Sequence, residues 1–68
     1  MAWVRGFILT KKSMPSLKLF VEYEDIKVYW YEGWLINLER ENLIFVDLEE
    51  VLRKGIFDVI AENCDKIS

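Results

Sequence analysis

Up to Val46 the apolar side chains of this 68-residue chain come in short alternating runs; from Leu48 on they recur at three- and four-residue spacing. The first pattern is that of half-buried strands and the second that of an amphipathic helix. The expected fold is therefore α+β and rich in strand: one domain, residues 1–68, built as an antiparallel meander of about five strands. The meander is open or curled into a small barrel, and one C-terminal amphipathic helix closes it. The strands fall at about 2–10, 17–24, 26–31, 34–38 and 43–46, and the helix at about 48–63.

The first strand carries Trp3, Phe7 and Leu9 on one face and Val4 and Ile8 on the other. Lys11 to Ser16 is a polar loop, in which Pro15 has no N–H to give a sheet ladder. A tight turn at Glu24-Asp25 sets Tyr23 opposite Ile26, Val21 opposite Val28 and Leu19 opposite Trp30. The other face then pairs Glu22 with Lys27, Phe20 with Tyr29 and Lys18 with Tyr31, so that apolar meets apolar and opposite charges meet. A three-residue loop, Tyr31-Glu32-Gly33, with Gly33 left-handed, keeps Trp34, Ile36 and Leu38 opposite Trp30, Val28 and Ile26. A four-residue turn, Glu39 to Asn42, then aligns Leu38 with Leu43 and Ile36 with Phe45.

Helical punctuation follows. Asp47 is an N-cap with Glu50 placed to complete a capping box, and Val46 and Val51 occupy the staple positions. Leu48, Val51, Leu52, Ile56, Val59 and Ile60 form the buried stripe. Gly55, just after Arg53-Lys54, is able to end the helix at two turns. Because the stripe stays in phase beyond it, the expectation is one helix to about Asn63, bent at Gly55. The alternative makes Ile56 to Ala61 a last strand.

Composition adds a constraint. A chain this short sits near the lower limit for folding alone, yet 53% of its residues are hydrophobic, including three Trp, three Tyr and four Phe. Such a chain is too apolar for a disordered tail, and either its core is very complete or a second chain covers part of it. The net charge of −3 argues against a general nucleic-acid coat, although residues 1–31 carry five basic and three acidic groups. Cys64 is the single cysteine, no secretory leader precedes the first strand, and no apolar run is long enough to span a bilayer. These features fit a reducing cytoplasm and no membrane. The absence of Gln and His, beside plentiful Ile, Glu and Lys, tilts towards a thermophilic or AT-rich source.

Candidate chemistry is sparse. With no His the commonest general base and metal ligand is missing, and nothing in the sequence activates Cys64. The adjacent carboxylates Glu24-Asp25 and Glu49-Glu50 suit a turn and a helix N-terminus. No phosphate loop, metal-ligand spacing or calcium loop occurs, so no enzyme, metal or cofactor is expected. Function is expected on the sheet face away from the helix, which gathers Lys18, Phe20, Lys27, Tyr29, Tyr31, Leu35, Ile44 and Val46. Phe20, Tyr29, Tyr31, Leu35 and Ile44 are the candidate interaction residues, for a homo-oligomer or another protein. Alternatively, Tyr and Phe stack the bases of a single-stranded nucleic acid while Lys11, Lys12, Lys18 and Lys27 meet phosphates.

Overall fold

The computed structural model describes residues 2–67, and the first strand, β1 (Trp3–Thr10), lies in the interior of its sheet. It is joined by β2 (Lys18–Tyr23), β3 (Ile26–Trp34) and β4 (Ile44–Asp47), in the order β2-β3-β1-β4 and with every neighbouring pair antiparallel. Among the described residues the sheet is open and has four strands, so neither the expected fifth strand nor the barrel is found there. β3 and β4 flank β1 and run in the same direction. A connection between parallel strands needs a crossover, and helix α1 (Leu35–Arg40) provides it.

This crossover replaces the expected fourth strand. The reason is long-range pairing: β1 takes the edge of β3 along its whole length, from Thr10 opposite Lys27 to Trp3 opposite Trp34. Trp34 itself ends β3, and no place beside β3 is left for residues 35–38. Those residues turn into a helix instead, whose Leu35 N–H donates to the Ala2 carbonyl (2.8 Å) and whose Leu38 is buried. Gly33 accordingly is no loop glycine. It lies within β3 opposite Val4, and the positive φ values belong to Glu24 (56°), Asn42 (58°) and Gly55 (90°). Asn42 follows the end of α1 in the left-handed conformation that terminates helices, where the sequence reading had a hairpin turn.

The hairpin between β2 and β3 turns at Glu24-Asp25 with Tyr23 opposite Ile26, Val21 opposite Val28 and Glu22 opposite Lys27, as the alternation predicts. Beyond Val21 the register shifts. Leu19 meets Tyr29 and Lys18 meets Trp30, which leaves Phe20 as the extra residue of a bulge. The bulge turns Phe20 onto the side of Phe7, with ring centroids 4.8 Å apart, rather than against Tyr29.

Each face of the sheet is packed by different elements. On one, Phe7, Leu9, Ile26, Val28 and Val46 pack against Val51, Val59, Ile60 and Ile67. These come from α2 (Leu48–Lys54), α3 (Ile56–Asn63) and the end of the chain after a 3₁₀ turn at Cys64–Lys66. On the other, Ile8 and Tyr29 pack with Leu38 of α1 and with Met14 and Leu17 of the β1–β2 loop. Residues of β4 therefore face opposite to expectation: Ile44 and Val46 join the Val28 side, and Phe45 joins the Tyr29 side.

Asp47 caps α2 by accepting from the Glu49 N–H (3.1 Å). Glu50 does not complete a capping box; it lies 3.9 Å from both Arg53 and Lys54. The expected single helix is two helices, because Gly55 adopts φ 90°, ψ 149° between them, a conformation that side-chain-bearing residues avoid. Lys54 spans the break, 2.9 Å from Glu62 of α3. A Cβ at Gly55 meets nothing within 4 Å, so any penalty for one is purely a matter of backbone conformation. Gly55→Ala is accordingly expected to lower stability by about 1–3 kcal/mol in urea denaturation. An unchanged midpoint would show that α2 and α3 rearrange freely about this residue.

Candidate functional site

The candidate interaction residues do not share one surface. Tyr29 is buried, and its hydroxyl accepts from the Met14 N–H (2.9 Å) and donates to the Lys12 carbonyl (3.5 Å), fastening the β1–β2 loop to the sheet. Tyr31 donates to the Trp34 carbonyl (2.8 Å) and packs edge-on to Phe45. Leu35 lies with them against the core under α1. Ile44 packs on the opposite face. Of the five, only Phe20 is largely exposed, at 57%. The candidate lysines are dispersed too. Lys11 is 3.5 Å from Asp25, Lys27 is 3.7 Å from Glu22, and Lys12 sits in the loop held by Tyr29. Lys18 alone joins an aromatic surface, as part of an open cleft of about 400 Å³ with Phe7, Leu19, Phe20 and Trp30.

That cleft belongs to a row of aromatic side chains on the face packed by α2 and α3. Alternation along β1 and β3 puts the opposed pairs Trp3–Trp34, Arg5–Glu32 and Phe7–Trp30 on this one face. Trp3 and Trp34 meet edge to face with centroids 5.1 Å apart, and Trp30 meets Phe7 in the same manner at 5.3 Å. Phe20 lies on the outer side of Phe7, brought there by the bulge. At the hairpin end of the strands, Tyr23 contacts Phe57 of α3 at 5.6 Å.

The helices cover only part of this face, for a local reason. The chain enters α2 directly from β4 at one edge of the sheet, and Gly55 turns it after two helical turns, so that α3 reaches the β2–β3 hairpin through Phe57. The opposite ends of β1 and β3 stay open to solvent. Trp3 remains 57% and Trp34 45% exposed, and Phe20, beyond the Arg5–Glu32 pair on the same face, is exposed as well. Large exposed apolar patches mark surfaces that another molecule covers.

The row is partly visible in the sequence, where Trp30 and Trp34 fall on the apolar core face and Trp3 shares a face with Phe7 and Leu9. Their spacing shows which face they share, but not where the helices end above them.

The chemistry available here is contact and stacking. Trp and Tyr combine large apolar area with few rotatable bonds, and they dominate the energetics of protein surfaces that bind other proteins. Moving a half-exposed aromatic ring out of water contributes on the order of 1 kcal/mol, so the row together offers several times that. Among the described residues, no group of three or more His, Cys, Asp or Glu side chains is placed to hold a metal. Among them also, no helix is long and apolar enough to cross a membrane. Cys64 is exposed in the 3₁₀ turn and its thiol faces the Ala61 carbonyl at 3.4 Å. Comparison with protein-family descriptions, with curated proteins and with solved structures finds nothing that matches this chain.

Proposed function

We propose that the chain is a non-enzymatic association module that binds a protein surface, a second copy of itself included, through the row Trp3, Trp34, Trp30 and Phe20. The observation that carries this reading is the exposure of Trp3, Trp34 and Phe20 on a sheet face whose remainder is covered by two helices. A chain of this size has little stability to spare, and leaving three large aromatic rings in water forgoes burial it needs. A partner that covers the row restores that burial.

A single-stranded nucleic acid is the second ligand class this face suits, because Lys18 and Arg5 flank the rings. Glu32 opposes Arg5 and the chain carries −3 overall, which weighs against it.

Hydroxyl-radical footprinting of the full chain separates these readings. The expected result is that Trp3, Trp34 and Phe20 oxidise readily in dilute buffer and become protected in concentrated solution or cell extract. Protection by an oligonucleotide, weakening as salt rises, moves the assignment to nucleic acid. Unchanged oxidation of all three in every condition overturns the module itself.

A further inference from the structure

We infer that the partner is a second copy of this chain, joined strand to strand along the free edge of β2 in one defined antiparallel register. The inference rests on the reading that the chain is an association module, and it assigns a second copy to the Phe20 end of the row, since β2 accompanies β3 only as far as Trp30. β2 is an edge strand, since its only neighbour in the sheet is β3. Edge strands present unpaired N–H and C=O groups to any chain able to align with them.

The register follows from the bulge. Lys18 lies opposite Trp30, and so points to the aromatic face; Leu19 lies opposite Tyr29, and so points to the other. Phe20 packs on Phe7, Val21 packs on the same core, Glu22 pairs with Lys27, and Tyr23 meets Phe57. Read along the strand, the faces run aromatic, other, aromatic, aromatic, other, aromatic. This order is a palindrome about the bond between Phe20 and Val21. Two antiparallel copies centred there set Phe20 against Val21 of the second copy, Leu19 against Glu22, and Lys18 against Tyr23, every pair on a common face.

Shifting the centre by half a residue either way sets side chains of opposite faces against one another. A shift of one residue either way opposes Val21 to Glu22 or Leu19 to Phe20, again across faces. A shift of one and a half residues leaves only half of β2 paired and, towards the hairpin, opposes Glu22 to Glu22 of the second copy, which like charge disfavours. The central register opposes no like charges. It sets Lys18 opposite Tyr23 of the second copy on the aromatic face. It also joins the two aromatic faces into one surface with Phe20 at its middle, covering a ring that a lone chain leaves exposed.

The test is sedimentation equilibrium of the full chain from low to high micromolar concentration, with circular dichroism as a check on folding. The wild type is expected to dimerise. Leu19→Lys and Leu19→Glu change one exposed position, and in this register each lies opposite Glu22 of the second copy. Two-fold symmetry counts each such pair twice, so Leu19→Glu is expected to dimerise about tenfold more weakly than Leu19→Lys. A second readout does not depend on charge. Phe20→Cys and Val21→Cys chains, both also carrying Cys64→Ser, are expected to oxidise preferentially to the mixed pair when combined. Equal dimerisation of the two Leu19 variants, or crosslinking only between like chains, overturns the register. A wild type that stays monomeric at high micromolar concentration overturns the second copy as partner; protection of Trp3 and Trp34 in cell extract alone then leaves the module reading standing.

Discussion

Gly6→Ala is expected to be among the most damaging single substitutions in the chain, lowering stability by about 3 kcal/mol or more despite adding one methyl group. Gly6 sits in β1 between Tyr31 of β3 and Asp47 of β4. A Cβ there would lie on the Val46 carbonyl oxygen, 2.8 Å from the Phe45 ring and 3.0 Å from the Leu48 nitrogen. Two of those three neighbours are backbone atoms, at the point where β4 passes into α2, and they can retreat only by moving the strand or the helix start. The Phe45 ring is also tied in place by its contact with Tyr31. Gly33→Ala makes the control. The three atoms nearest its added Cβ all belong to the Tyr31 side chain, whose hydroxyl lies 2.6 Å away and which can swing aside at the loss of its bond to the Trp34 carbonyl. The expected loss there is about 1 kcal/mol. Thermal unfolding followed by circular dichroism distinguishes them, since about 3 kcal/mol corresponds to a fall of at least 12 °C or so in a domain of this size. Similar midpoints for the two variants would mean that β4 is not held closely against β1.

The clash at Gly6 arises from a contact between residues about 40 positions apart, and that separation explains what could be read in advance. The β2–β3 hairpin is local: near its turn the register follows from alternation and from Glu22 meeting Lys27, whereas the bulge at Phe20 moves Lys18 and Leu19 off the partners that alternation gives them. The Asp47 cap is local as well, and so is the stop at Gly55, which was legible as a possibility but set aside because the apolar stripe stays in phase across it. What alternation cannot supply is the order of strands. Trp34, Ile36 and Leu38 fit a strand, whereas Leu35 and Leu38 fit a helix; the choice is made by β1 occupying the edge of β3. Asn42 following Arg40 is the one local signal that favoured the helix. Once α1 and the β1–β2 loop cover the Tyr29 face, the exposed surface passes to the other side of the sheet. The idea of an uncovered sheet face was accessible from composition, but its identity depended on where each helix ends.

Tyr29 and Phe20, which alternation alone places side by side, are expected to respond to substitution in opposite ways. Tyr29 is only 4% exposed and lies between Ile8 and Leu38. Its hydroxyl holds the backbone of the β1–β2 loop at Met14 and Lys12. Tyr29→Phe keeps the ring and removes the hydroxyl, leaving the Met14 N–H without its partner, and is expected to lower stability by about 1–2 kcal/mol. Tyr29→Ala adds an internal cavity and is expected to lower it by about 3–5 kcal/mol. A domain of this length has roughly 3–10 kcal/mol in all, so the alanine variant is expected to be partly or wholly unfolded at room temperature. Phe20→Ala removes a ring that solvent already reaches, against Phe7 alone among the aromatic side chains. Its expected loss is about 1 kcal/mol or less, with the fold retained and association weakened. Urea denaturation orders the three stabilities, and amide exchange at residues 11–17 reports separately on the loop that Tyr29 holds. If Tyr29→Phe leaves that exchange unchanged, the hydroxyl is not what fastens the loop. If Phe20→Ala unfolds the chain while Tyr29→Ala does not, the assignment of core and surface on the two sides of β2 and β3 is reversed, and the aromatic row loses its claim to be the binding surface.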